Sequence, residues 1–287
     1  MARYKVNKIN AGTRLDIFIA SNLNQLSRSF IKRLDDDGKV TVNGKVEKPS
    51  YKLKAGDKIV VNYDEKQHSK IPEIDLPVLY EDNDVLVVNK PVGVLTHSKG
   101  AFNPEGTVAT FIGPKLKDMD GERGGIVHRL DRATSGVIIT AKNSDALSWL
   151  QKQFSQRKTK KTYIAIVSGQ VEPKEALIDM PIQRNPKKPQ TFRTNANGKP
   201  ATTNYKVLAQ NDGHSLLELK PLTGRTHQLR VHLEKIGHPI VGDSLYGGEI
   251  AKRMMLHATT LEITLPSKER KIFEAPLPKA FSDIIKP

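Results

Sequence analysis

Residues 78–93, VLYEDNDVLVVNKPVG, open a series of short apolar runs with the length and composition of strands. The texture recurs at 136–142 (GVIITAK), 162–169 (TYIAIVSG), 202–209 (TTNYKVLA) and 214–220 (HSLLELK). Helical spacing interrupts it over 143–155 and again over 226–236, where Leu229, Leu233 and Ile236 recur on one face. Strands outnumber helices and do not alternate with them regularly. That predicts an α+β domain over 78–287 with a mixed, mainly antiparallel sheet, rather than a doubly wound parallel one.

Upstream the pattern differs. Residues 14–23 (RLDIFIASNL) place Leu15, Phe18, Ile19 and Leu23 at helical spacing, and Ser27 can cap a second short helix carrying Phe30, Ile31 and Leu34. Arg28 and Lys32 are four apart on that helix and share a face. Residues 40–46 (VTVNGKV) read as a hairpin turning at Asn43-Gly44, and LKAGDKIVV adds a further strand. Residues 1–63 therefore form a small α/β domain with a basic face. Residues 64–77 (DEKQHSKIPEIDLP) lose all periodicity, contain two prolines and read as a linker. The stretch 184–199 (RNPKKPQTFRTNANGK) is expected to be a mobile loop.

The chain has 287 residues, 46 Lys and Arg against 31 Asp and Glu, a formal charge of +15, and no cysteine. Absence of cysteine excludes disulfides, thiolate nucleophiles, Cys-ligated zinc and iron–sulfur clusters. The opening residues lack the apolar stretch of a secretory signal and no run suits a spanning helix, so a soluble, cytoplasmic protein is expected. The charge is local. Residues 1–70 carry a net +7 and 151–199 a net +8, while the rest is balanced. Such patches suit a polyanion, because Lys and Arg that neutralise phosphates release counterions. A solubilising surface is the other reading.

Two stretches concentrate reactive side chains. GGIVHRLDRATSG (124–136) packs His128, Arg129, Asp131, Arg132, Thr134 and Ser135 between apolar runs, which suits a reactive loop or a turn held by Asp and Ser side chains. PLTGRTHQLRVHLEKIGHPIVGDSLYGG (221–248) leads through Arg225 into an amphipathic helix. Its histidines do not read as a metal site: His227 and His232 are five apart and face differently, and no HExxH occurs. HRLD lacks the companions of a kinase catalytic loop, and no Gly-Lys pair continues to Ser or Thr as a phosphate-binding loop requires.

These residues resemble the RluA-type pseudouridine synthases, which isomerise uridine to pseudouridine within RNA. The likeness lies in LVVNKPVG (86–93), IVHRLDRATSG (126–136), the Tyr-bearing strand at 162–169, LTGRTHQLRVHLEKIGHPIVGDSLYG (222–247), and LHA (256–258) with FEAPLP (273–278). Residues 14–61 resemble the small S-four-like RNA-binding module that precedes the catalytic domain in members acting on large-subunit ribosomal RNA. Arg132-Ala133 stands where the commoner pattern has Lys-Asp.

The resemblance implies that Asp131 is the catalytic carboxylate, Tyr163 the aromatic neighbour of the target base, and Arg225 the charged partner of Asp131. It places Leu256 against the base and Arg129 in the vacated stack. His128 and Lys90 are assigned to loop positioning and phosphate contact, and Arg14, Arg28, Lys32 and Arg33 to RNA binding. The reaction has no redox change, so neither cofactor nor metal is expected. The expected partner is RNA, ribosomal RNA foremost, and the expected state a monomer. Two other readings stay open here. One is a non-catalytic RNA-binding or ribosome-assembly factor; the other is a carboxylate hydrolase of a nucleoside glycosidic bond.

Overall fold

In the computed structural model the described residues are 1–23, 28–63, 72–98, 105–119 and 124–285, without the side chains of residues 28, 29 and 33. The side chains of Arg28 and Arg33, expected to bind RNA, the Ser27 cap and residues 64–71 of the expected linker lie outside them. The chain divides into two compact units. One comprises Met1–Ile74 with His97–Thr110, the other Asp75–Thr96 with Phe111–Pro287.

The first unit has helices α1 (Leu15–Asn22) and α2 (Arg28–Asp36) and strands β1 (Ala2–Lys5), β2 (Val40–Val42) and β3 (Lys58–Val61). The antiparallel sheet has the order β1-β3-β2. Leu15, Phe18 and Ile19 of α1 pack with Ile31, Leu34, Val40, Val42, Ile59 and Val61, as the helical and alternating periods require. Asn43 and Gly44 both have positive φ, 54° and 80°, the backbone of a two-residue primed turn. The hairpin expected over 40–46 is nonetheless only a stub. Lys45 makes a single bridge to Val42, and β2 finds its ladder partner in β3 instead. The Asn43 side chain explains this: its Nδ2 donates to Asp57 Oδ1 and its Oδ1 accepts from Lys58 N, both at 2.9 Å, fastening the turn to β3.

The second unit holds β4 (Val78–Glu81), β5 (Val85–Lys90), β6 (Ser135–Ala141), β7 (Lys160–Ser168), β8 (Glu175–Asp179), β9 (Ile182–Arg184), β10 (Phe192–Thr194), β11 (Thr202–Gln210), β12 (His214–Pro221), β13 (Leu256–Thr264) and β14 (Arg270–Glu274). Its main sheet runs β4-β5-β6-β13-β7-β12-β11-β8, with β14 paired to β13. Every neighbouring pair is antiparallel except β13 with β6. The α+β reading with a mainly antiparallel sheet therefore holds.

After the short α3 (Val108–Ile112), two longer helices cover the sheet. In α4 (Ser144–Ser155), Asn143 caps by accepting from Ala146 N, and Ala146 and Leu150 pack with Val85, Val87 and Ile139. In α5 (Gln228–Lys235), Leu229 and Leu233 pack with Ala165, Val167 and Leu217 of the central strands. The expected loop over 184–199 is instead built around a hairpin, with Phe192–Thr194 paired to Ile182–Arg184. Ile182 and Phe192 anchor it on Val231 and Tyr246, a cluster that the surrounding lysines and prolines conceal in the sequence. No helix among the described residues is long and apolar enough to cross a membrane.

Candidate active site

The loop carrying Asp131 leads directly into β6, whose residues are all buried. Gly136, at φ 118°, is required there. A Cβ on it would sit 2.1 Å from Ala258 O, so only glycine lets β6 and β13 approach so closely. The loop is clamped from the segment after β5. Thr96 Oγ1 donates to Leu130 O at 2.9 Å and accepts from Leu130 N at 3.1 Å, while Gly93 N donates to Arg132 O at 2.8 Å. Lys90 is fully buried and its Nζ donates to Pro91 O at 2.9 Å and Val94 O at 2.8 Å. Its ammonium is thus turned onto the backbone of the following segment, and Lys90 does not line the cleft onto which Asp131 opens. Burial pushes its pKa down to about 7, the charge of Asp131 acting in the opposite direction.

His128 is likewise engaged by its neighbours in the fold. Its Nε2 accepts from Ile139 N at 3.1 Å and its ring stacks on Phe154 at 4.6 Å. Burial, aided by the charge of Lys161, pushes its pKa down to about 3, so the ring is neutral.

Asp131 opens onto a cleft of about 480 Å³. Strand β7 contributes Tyr163 and Lys161, β13 the buried Leu256, the turn between β12 and α5 Gly224, Arg225 and His227, and α5 itself Arg230. Arg129 lies exposed on its rim. Burial and then the charge of Asp131 raise the Tyr163 phenol well above its ordinary value, so at neutral pH it is a hydrogen-bond donor.

The arginine facing Asp131 is Arg230. Its Nη1 lies 3.4 Å from Asp131 Oδ2, while Nε and Nη2 donate to Asp243 Oδ2 at 2.6 Å and Oδ1 at 2.7 Å. Its guanidinium also stacks over the Tyr246 ring, 4.9 Å from the centroid. Arg225, expected to be the partner of Asp131, lines the same cleft but donates its Nε to Pro200 O at 3.0 Å. The reason is helical geometry: Arg225 precedes α5, whereas Arg230 lies within it, on the buried face.

Sequence reasoning also passed over Asp243, Tyr246 and His227 as parts of this centre. Gly242, at φ 82°, turns the chain into Asp243, and a Cβ there would meet Arg253 O at 2.0 Å. His227 occupies the left-handed region, φ 58° and ψ 18°, an uncommon conformation for a residue with a side chain and one that clusters at functional sites. Its Nε2 lies 3.7 Å from Asp131 Oδ2 and its Nδ1 2.8 Å from Tyr246 Oη. Tyr246 Oη already accepts from Phe192 N at 2.8 Å. A Tyr246 O–H donated to Nδ1 leaves the imidazole proton on Nε2, facing the carboxylate. Burial holds the His227 pKa below its ordinary value, against the pull of Asp131.

In the first unit, Arg14 is partly exposed and makes a two-pronged pair with Asp16, at 2.9 and 3.1 Å, while Lys32 is exposed on α2.

Residues 84–235 match the family described as RNA pseudouridylate synthase, and residues 13–59 match the S4 domain. The chain is 38% identical to the ribosomal large subunit pseudouridine synthase D of Borreliella burgdorferi, over 93% of this chain and 87% of that protein. It is 35% identical to the protein of that same name from Escherichia coli K12, over 98% and 92%. Among solved structures, human RNA pseudouridylate synthase domain containing 1 superposes with a TM-score of 0.59 at 32% identity, covering 70% of this chain and 83% of that one.

Proposed function

The chain belongs to the RNA pseudouridylate synthase family, isomerases that act on RNA, and we propose that Asp131 is the carboxylate with which it converts uridine to pseudouridine. One observation carries this reading: Arg230 Nη1 and His227 Nε2 converge on Asp131 Oδ2, at 3.4 and 3.7 Å, in a cleft lined by Tyr163 and Leu256. A non-catalytic RNA-binding factor has no need of a buried Arg230–Asp243 pair trained on a lone carboxylate.

The chemistry suits these groups. The bond from uracil N1 to ribose C1′ breaks, the base turns, C5 bonds to C1′, and the C5 proton leaves while N1 gains one. Nothing is oxidised or reduced. Asp131 attacks C1′ or removes the ribose 2′ proton. Tyr163 and Leu256 flank the base, which is reachable only once it leaves the RNA stack, at a cost of a few kcal/mol. Arg129, exposed at the rim, takes its place in that stack. Arg225 serves the rim as well, where it meets the RNA backbone.

Large-subunit ribosomal RNA is the proposed substrate, supported by the names of the relatives, and the cytoplasm is the proposed site of action. Phosphate contacts come from exposed Lys32 and partly exposed Arg14 in the first unit and from exposed Arg184, Lys187, Lys188 and Arg193 around the β9–β10 hairpin. The test is Asp131→Asn, assayed by tritium release from RNA labelled at uridine C5. Turnover should vanish while RNA binding persists. Retained turnover refutes the assignment, and free uracil as product would make the protein a glycosidic hydrolase.

A further inference from the structure

Lys161 sits two residues before Tyr163 on β7, so both side chains leave the same face of the strand and line the same cleft. Their roots lie roughly 7 Å apart along the strand. Lys161 is half-buried, and among the described residues neither a carboxylate nor a hydrogen-bond acceptor pairs with its ammonium. Desolvation alone moves its pKa, downward, with no compensating negative charge. A cation removed from water without a partner is costly. Retaining one on the wall of an active-site cleft makes sense if an anion arrives with the substrate.

The space in front of it is also kept clear. Gly224 faces the ammonium, and a Cβ added there would stand 3.7 Å from Lys161 Nζ, in the volume a ligand atom would use. Gly224 does not occupy the left-handed region that favours glycine, so backbone strain does not account for its missing side chain. Within RNA the anion is the phosphodiester, whose oxygens form short charge-assisted bonds to ammonium groups. Uracil carbonyls are neutral acceptors and offset the buried charge less well.

We propose that Lys161 is a phosphate-binding residue inside the cleft, taking a backbone phosphate oxygen of the flipped nucleotide through the gap left by Gly224 while the base lies against Tyr163. This rests on the pseudouridine synthase reading and adds a substrate contact to it. The contact anchors the nucleotide at its backbone.

The test uses the full chain, with two readouts kept separate. Equilibrium binding of oligouridylate over a range of salt needs no turnover; single-turnover tritium release from C5-labelled large-subunit ribosomal RNA reports the chemistry. Failure of the wild type to release tritium would count against the functional reading and leave the binding result standing. Lys161→Met should weaken oligouridylate binding by about 10- to 100-fold, the range for losing a hydrogen bond to a charged group. It should also reduce the slope of log affinity against log salt by about 0.7, one phosphate for a single strand. Lys161→Arg should restore both. Gly224→Ala guards against a folding defect at Lys161: it should melt like wild type yet bind several-fold more weakly. Wild-type affinity in Lys161→Met or in Gly224→Ala overturns the proposal. So does weakened binding with an unchanged salt slope, which would assign Lys161 to a neutral uracil carbonyl.

Discussion

Arg230 is gripped by Asp243 on two nitrogens, at 2.6 and 2.7 Å, and offers its third to Asp131 at 3.4 Å. The buried Asp243 thus fixes the plane of the guanidinium, and with it the direction from which positive charge meets the Asp131 carboxylate. Only arginine can do this, since a lysine ammonium has no rigid fork.

Arg230→Lys should therefore lower the maximal single-turnover rate by about 10²-fold or more, because the charge survives but its direction does not. Arg225→Ala should instead act on apparent affinity and leave the maximal rate within a few-fold, its guanidinium being engaged at Pro200 on the rim. Asp243→Asn leaves Arg230 without its counter-charge in the interior and should cost about 3–5 kcal/mol of stability. Tritium release and urea unfolding read these effects. Equal losses of maximal rate in the Arg225 and Arg230 variants would contradict the division of roles.

Lys90→Met tests whether a buried cation beside the Asp131 loop serves structure or substrate. Its ammonium ties Pro91 and Val94 just before Thr96, which grips Leu130, the neighbour of Asp131. The variant should lose turnover through a loosened loop, while the salt dependence of RNA affinity stays as in wild type. A flatter salt slope would show that Lys90 neutralises a phosphate after all.

Two histidines set an acid limit to stability. His128 and His257 have pKa values pushed down by burial to about 3 and about 4, below the value near 6.5 of an exposed imidazole. Between those limits the unfolded chain binds more protons than the folded one, so stability falls as pH drops from about 6.5 toward 4 and is unaffected by these groups above that window. His257 is fully buried, with Nδ1 2.8 Å from Ser135 Oγ, and His128 Nε2 accepts the Ile139 N–H, so protonating His128 at that nitrogen breaks a native hydrogen bond. The urea midpoint of His128→Gln should depend less on pH between 6.5 and 4 than that of wild type. Parallel curves would remove His128 from the acid response.

What the sequence disclosed divides along a physical line. Asp131, Tyr163, Leu256 and Arg129 line one cleft because each is delivered by a local element, a loop or a strand, whose pattern is readable within ten residues. The Arg230–Asp243–Asp131 chain is different: its members are 13 and 99 residues apart and meet only through the fold. Two arginines, Arg225 and Arg230, stood in the same stretch, and choosing between them needed the direction in which α5 runs. The β9–β10 hairpin escaped for a related reason, since its apolar anchors Ile182 and Phe192 find Tyr246 and Val231 from distant parts of the chain. Strand β1 alternates exposed with half-buried residues, too weak an apolar signal to announce itself.

Tyr163 carries two separable capacities, a ring that can stack on uracil and a hydroxyl that stays protonated because burial and Asp131 both raise its pKa. Leu at this position removes both; Phe keeps the stack, worth about 1–3 kcal/mol per base, and removes only the hydroxyl. If the phenol donates in the reaction, Tyr163→Phe should bind RNA nearly as wild type yet turn over roughly 10²–10⁴-fold more slowly, the range for general acid–base catalysis. The raised pKa adds a constraint on the pH profile. Deprotonation of Tyr163 lies above pH 10, so any alkaline fall in wild-type rate below that pH must survive unchanged in Tyr163→Phe. Near-normal turnover in Phe with failure in Leu would make the residue a stacking platform alone. Wild-type rates in both would take Tyr163 out of the chemistry.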